Sequence, residues 1–172
     1  MTDTARYDRA FKEVVGYEGG YVDDPNDHGG KTKYGISQKT YPNLDIANLT
    51  LDQAKAIYWR DFYRALSLNA LENEQVALEI FDTAVNCGTG MAVRIAQRAL
   101  RFLGEDIQVD GKIGPRTIEK LNAWSKRDPE SLHKALNGYQ FARYAAIIEA
   151  DASQAKFGRG WLRRIQGYRR GA

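Results

Sequence analysis

Tyr7-Asp8-Arg9-Ala10-Phe11-Lys12-Glu13-Val14-Val15-Gly16-Tyr17-Glu18-Gly19-Gly20-Tyr21 is the stretch on which the reading of this chain turns. Tyr7, Ala10, Phe11, Val14 and Val15 recur at helical spacing on one face, which predicts a helix from Tyr7 to Tyr17 stopped by Gly19-Gly20. Continuing the stripe from Tyr7 through Phe11 and Val14 brings the next turn to Glu18. A carboxylate at the C-terminal end of a helix opposes the macrodipole, a disadvantage of roughly 0.3–1 kcal/mol. A residue that breaks a local preference at the end of an apolar stripe points to function more than to architecture.

Downstream, Asp23, Asp24, Pro25, Asn26, Asp27, Gly29, Gly30 and Gly35 make residues 21–37 rich in turn formers. Tyr21-Val22 and Lys33-Tyr34 flank the turns and are expected to pair as a short irregular hairpin. Glycoside hydrolysis needs an acid to protonate the leaving oxygen and a second group to direct water or stabilise the oxocarbenium-like transition state. An apolar setting keeps an acid protonated near neutral pH by penalising its ionised form. Glu18 has that setting, whereas Asp27, in the polar run Asn26-Asp27-His28-Gly29-Gly30, suits an ionised carboxylate. Asp23 and Asp24 are rival second carboxylates. Thr32 offers a hydroxyl to hold a water or to bond the second carboxylate. Tyr34 either stacks on a pyranose face or packs the lobe, and His28 reads as a turn residue.

The rest of the chain reads as helices. Thr50 with Gln53 forms a capping box for a helix to about Tyr63. Further helices are expected from about Glu74 to Asn86, Gly90 to Leu103, Pro115 to Trp124 and Pro129 to about Ala150, with Gly104 as a C-terminal stop and proline at two first positions. A last amphipathic stretch runs from Trp161 to Tyr168. Asp82 and Asn86, at i and i+4, share one helix face and must find polar partners. Asp82 is read as a brace and Asn86 as a sugar contact, both on the substrate-binding side of the site.

Composition bounds the answer further. At 172 residues and 43% apolar content, the chain is long enough for one domain or two small lobes. No run approaches the roughly 20 apolar residues of a membrane span. The polar start, Met1-Thr2-Asp3-Thr4-Ala5-Arg6, lacks the apolar core of a signal peptide, so synthesis in the cytoplasm without an export signal is expected. One cysteine, Cys87, excludes an intrachain disulfide and is read as a small buried apolar residue. With only two histidines beside it, no metal site and no cofactor are expected. Residues 156–172 hold six Lys or Arg and no acid, which favours a polyanionic partner: nucleic acid, anionic lipid or a bacterial cell wall. No nucleic-acid reading motif is present.

The spacing from Glu18 over eight residues to Asp27 and on to Thr32 resembles that of the phage-type lysozymes, where the threonine comes one residue later, at the place Lys33 holds here. A closer resemblance covers most of the chain. Glu18-Gly19-Gly20-Tyr21, Gly30-Lys31-Thr32-Lys33-Tyr34-Gly35-Ile36-Ser37 and Phe81-Asp82-Thr83-Ala84-Val85-Asn86 resemble the motifs of glycoside hydrolase family 108. Val109-Asp110-Gly111-Lys112-Ile113-Gly114-Pro115-Arg116-Thr117 and the terminal Phe157-Gly158-Arg159-Gly160-Trp161 resemble the predicted peptidoglycan-binding part of that family.

This resemblance implies an N-acetylmuramidase of the phage endolysin kind, with Glu18 catalytic. It implies a mainly α, lysozyme-like fold in which a first helix is followed by a small β-hairpin lobe and then a helical bundle. Residues 1–92 are expected to form the catalytic lobe and 93–172 a helical peptidoglycan-binding lobe, packed as one monomeric unit. The expected activity is hydrolysis of the β-1,4 bond between N-acetylmuramic acid and N-acetylglucosamine, with no membrane insertion and an indirect dependence on a holin pore for access to the wall. Two alternatives stay open: a lytic transglycosylase using Glu18 alone, and a non-catalytic wall-binding protein. A bacterial effector with a neutralising partner is the alternative to a phage origin.

Overall fold

A computed structural model describes residues 3–16, 20–23 and 30–169. The chain divides into two compact units, residues 1–65 and 66–172.

In the first unit, α1 (Asp3–Val14) is followed by β1 (Thr32–Lys33) and β2 (Ile36–Ser37), then by α2 (Leu51–Tyr58). Tyr7, Ala10 and Phe11, the apolar positions read from the sequence, are the buried face of α1. Thr50 and Gln53 close the expected capping box, the hydroxyl accepting from the Gln53 N–H at 3.2 Å and the amide oxygen from the Thr50 N–H at 2.9 Å. The expected helix to Tyr63 changes form at Trp59, where the chain widens into a π-helical turn, Trp59–Arg64. That turn keeps Trp59 and Tyr63 stacked at 5.5 Å, and both rings meet the edge of Tyr7 at about 5 Å. The Tyr7 hydroxyl donates to the Lys55 carbonyl at 2.6 Å, and Lys55 pairs with Asp8 at 2.7 Å. Aromatic packing with a satisfied hydroxyl thus joins α1 to α2.

The hairpin differs from its sequence reading. Thr32 pairs with Ser37 and Lys33 with Ile36, leaving Tyr34-Gly35 as a two-residue turn. Both turn residues have positive φ, 50° and 73°, as the right-handed twist of a tight hairpin requires. Tyr34 is therefore a turn residue, not a strand residue. Val22 joins from the other side as a single antiparallel bridge to Thr32, with both N–H···O distances at 2.8 Å.

The second unit is helical: α3 (Glu74–Cys87), α4 (Thr89–Phe102), α5 (Pro115–Arg127), α6 (Pro129–Ala150) and the short α7 (Gly158–Leu162). Asn73 caps α3 and Asp128 caps α6 through their side chains. Gly104, at φ 93°, ends α4 as expected. Val76, Ala77, Ile80 and Phe81 of α3, Val93, Ala96 and Leu100 of α4, Leu121 of α5 and Leu132 and Leu136 of α6 form the core. The stretch Trp161 to Tyr168 is not one helix. α7 stops at Leu162, and residues 165–169 carry no regular structure. Cys87, expected to be buried, is partly exposed because it is the last residue of α3, beside the terminating Gly88. Asp106 to Pro115 lies wholly inside this unit.

Candidate functional site

Glu18 and Asp27 lie outside the described residues, as does His28. What is described is the frame on either side of them. Val22 and Thr32, which flank residues 23–31 in sequence, are joined by an antiparallel bridge. The bridge is backed on its far side by β2 and by the Gln38 N–H, which donates to the Lys31 carbonyl at 2.8 Å. The Gln38 side-chain amide in turn lies 2.8–3.2 Å from the carbonyls of Tyr41, Pro42 and Leu44, fixing the segment that follows the hairpin.

Thr32 is half-buried, its hydroxyl donating to the Gly30 carbonyl at 3.1 Å. Lys33, at the position where the phage-type pattern has threonine, alternates to the other side of the strand. Its ammonium donates to the Ala47 carbonyl at 3.1 Å and lies 5.7 Å from the Tyr34 ring. Asp23, the described rival carboxylate, is exposed and accepts a hydrogen bond from the Tyr21 hydroxyl at 3.1 Å.

Tyr34 is half-buried at the tip of the turn, where its carbonyl accepts from the Tyr58 hydroxyl at 3.1 Å. Tyr58 went unread in the sequence; its place in the apolar run of α2 marks it only as core. Behind it, the Tyr41 hydroxyl donates to Asp61 at 2.8 Å. Arg60 donates to the same carboxylate, and its guanidinium holds Asp61 below the usual carboxylate range.

In the second unit Asp82 and Asn86 do share a face of α3, and both find partners on α6. Asp82 pairs with Arg164 at 2.5 Å and accepts from the Gln140 amide at 3.1 Å. The Asn86 amide donates to the Tyr144 hydroxyl at 2.6 Å, and Gln140 donates to that same hydroxyl at 3.1 Å. Tyr144 then stacks on Trp161 at 5.1 Å. Burial pushes the Tyr144 phenol well above its ordinary range, so it stays neutral and serves as an acceptor here. This network joins α3, α6 and the chain's last segment.

The basic tail is partly consumed by the same architecture. Arg164 is paired with Asp82, and the Arg169 backbone exchanges two hydrogen bonds with the Gln75 amide, at 2.6 and 2.9 Å. Lys156, Arg159 and Arg163 remain exposed.

The Asp110–Thr117 motif is also built inward. Gln97, buried on α4, donates to Asp110 at 2.8 Å and to the Lys112 carbonyl at 3.2 Å, and accepts from the Gly111 N–H at 2.9 Å. Arg94 donates to the Asp110 carbonyl at 2.8 Å. Gly111 has φ 77°, and a Cβ there would collide with the Arg94 guanidinium, so the loop requires glycine. Gln97, like Tyr58, was not singled out in the sequence; a glutamine at a core position of a strongly amphipathic helix is the signal that could have found it.

Among the described residues no group of three or more potential ligands could hold a metal ion, and no helix is long and apolar enough to cross a membrane.

Among the described residues, helices with one two-stranded antiparallel hairpin after the first helix make a mainly α, lysozyme-like architecture. The chain superposes on Brucella abortus SagA with a TM-score of 0.75 at 25% identity, over 94% of this chain and 90% of that one. Residues 11–88 match the glycosyl hydrolase 108 family and residues 91–166 match the predicted peptidoglycan domain family. The first segment is similar to the glycosyl hydrolases of family 108 and the second to a predicted peptidoglycan domain, which together indicate a glycoside hydrolase directed at peptidoglycan. None of the curated proteins matches its sequence.

Proposed function

We propose that this chain is a muramidase that hydrolyses the β-1,4 bond between N-acetylmuramic acid and N-acetylglucosamine, with Glu18 as general acid. Asp27, helped by Thr32, positions or activates the attacking water. The observation that carries this reading is the bridge between Val22 and Thr32, which bracket Asp27 in sequence. The segment bearing Asp27 starts and ends on one antiparallel bridge, Val22 to Thr32, a few residues past α1. Such a base gives a water-directing carboxylate a fixed origin, which catalysis by positioning requires. The matched glycosyl hydrolase segment contains Glu18, Asp27 and Thr32, in keeping with those roles. Tyr34 offers a ring face to a sugar, Asn86 a polar contact, and Asp82 braces the helix that carries Asn86.

Residues 1–92 form the cutting lobe in this proposal and 93–172 the lobe that holds the wall. The enzyme is a monomer that works at the bacterial wall after passing through a holin pore, as an endolysin does.

Glu18→Gln is the test. The variant is expected to remain folded and to release no muropeptides from purified peptidoglycan, while wild type releases products with reducing ends. Full activity of the variant refutes the assignment of Glu18. Products with 1,6-anhydro ends, together with an active Asp27→Asn variant, would establish a lytic transglycosylase in place of a hydrolase. Binding without any release by wild type would establish a wall-binding protein.

A further inference from the structure

We propose that Tyr58 is a positioning residue for the glycosidase reaction, acting through its hydroxyl on the Tyr34-Gly35 turn. The inference rests on the reading of Glu18 and Asp27 given above and extends it to a residue that no motif contains.

Tyr58 is buried at the end of α2, at 3% exposure. Its ring meets Phe11 of α1 edge-on at 5.7 Å, and Phe11 is fully buried. Its hydroxyl reaches the hairpin and donates to the Tyr34 carbonyl at 3.1 Å. One rigid side chain therefore spans α1, which precedes Glu18 in sequence, and the hairpin, which follows Asp27. A tyrosine suits this work because its phenol carries a hydrogen-bonding tip at a fixed distance from a packed ring, with only two rotatable bonds.

The turn is built to receive that hydroxyl. Tyr34 holds φ 50°, in the left-handed region that a bulky side chain ordinarily avoids. A conformation of that kind persists when the surroundings over-determine it, and here the bond from Tyr58 is one such constraint. Gly35 follows at φ 73°, and a Cβ on it would stand 2.7 Å from the Tyr58 hydroxyl oxygen. Glycine is thus required twice, once by the backbone and once by the phenol. The hairpin register transmits this anchor, because Tyr34 and Gly35 close the ladder in which Thr32 pairs with both Ser37 and Val22. Freeing the turn loosens Thr32 and, through its bridge, Val22, the two described residues that bracket Asp27 in sequence.

Tyr58→Phe keeps the ring and removes only the hydroxyl. On soluble glycan strands the variant is expected to lose about tenfold in kcat with KM within about twofold of wild type, the signature of misplaced catalytic groups in place of lost binding. The acidic limb of its pH–rate profile is expected to shift, because the second carboxylate has changed surroundings. Gly35→Ala is expected to be more damaging in wild type than in the Tyr58→Phe background, since removing the hydroxyl makes room for the methyl group. The two losses will therefore multiply to more than the double variant shows.

Wild-type kcat and an unchanged pH profile in Tyr58→Phe would overturn the proposal, as would strictly multiplicative losses. A kcat loss matched by an equal loss of folded protein in far- and near-UV circular dichroism would do so too. Glu18→Gln, measured in parallel, separates the two ideas. An inactive Glu18→Gln beside a fully active Tyr58→Phe rejects only the role of Tyr58, whereas an active Glu18→Gln rejects the catalytic reading itself.

Discussion

Asp82 of α3 and Arg164, two residues past α7, are paired at 2.5 Å although they stand more than eighty positions apart in the chain. The pair is shielded, Asp82 having a side-chain exposure of 15% and Arg164 of 31%. It is the charged link between the last segment and the helix that carries Asn86. Arg164→Ala should cost about 1.5–3 kcal/mol, the range for a hydrogen bond to a charged group, because it removes the guanidinium from a partly buried carboxylate. Urea unfolding measures the loss, and faster protease cleavage after residue 150 should accompany it. A loss below about 0.5 kcal/mol would class the contact with ordinary surface ion pairs.

Glu79 and His133 make a second buried contact, at 3.5 Å, between α3 and α6. Burial, reinforced by nearby Asp82, pushes Glu79 up to about 8, and burial also lowers His133. Near neutral pH the pair is therefore mainly uncharged, a protonated carboxyl beside a neutral imidazole. Between the ordinary glutamate value of 4.5 and about 8, the folded state keeps a proton that the unfolded chain has released. Stability must then fall as pH rises across that window. His133 acts in the opposite sense and withdraws stability as pH falls through its ordinary value of 6.5. Glu79→Gln should gain on wild type progressively between about pH 5 and pH 8.5 in urea titrations. A difference that stays constant with pH would contradict the assignment.

Gln97 makes three hydrogen bonds into the loop at Asp110–Lys112 from a position only 2% exposed. Gln97→Leu keeps most of the volume and leaves the Gly111 N–H without its acceptor, at an expected cost of about 1–3 kcal/mol. If the loop takes part in holding peptidoglycan, retention on sedimented cell walls will fall in step. Unchanged thermal unfolding would show that the loop is held by Arg94 alone.

Lys156, Arg159 and Arg163 are exposed cations of the terminal segment. Reversing all three to glutamate should weaken sedimentation with anionic cell walls several-fold at low salt. The difference should close as the ionic strength rises past ~0.15 M, where the Debye length has dropped to about 8 Å. A deficit that persists at high salt would place the effect in folding and not in attraction.

Much of this architecture was legible because its signals are local. Thr50 with Gln53, Asn73, Pro115 and Asp128-Pro129 announce helix starts through bonds made within four residues, and these starts stand within a residue or two of the sequence reading. The i, i+4 spacing likewise put Asp82 and Asn86 on one face. What distance in sequence hides is the partner. Nothing near Tyr34 says that a tyrosine will occupy a left-handed turn position, because the bond that helps hold it comes from Tyr58, twenty-four residues on. The amphipathic run from Trp161 to Tyr168 looks helical in isolation, yet contacts from Gln75, Asp82 and Asn137 draw it out as a strap. The π-helical turn at Trp59 answers to ring packing around Tyr7, which no periodicity in α2 records.

The single bridge between Val22 and Thr32 has a practical consequence for redesign. Because the ends of segment 23–31 are stapled to each other and Thr32 is paired again with Ser37, the segment can be treated as an exchangeable cassette. Loop closure grows only slowly more costly with length, by about 0.6 kcal/mol per doubling. Longer or differently charged inserts can be spliced between these two anchor residues while the hairpin keeps its register. A panel of such grafts would show, on one fixed scaffold, how the length and charge of this segment bear on peptidoglycan cleavage.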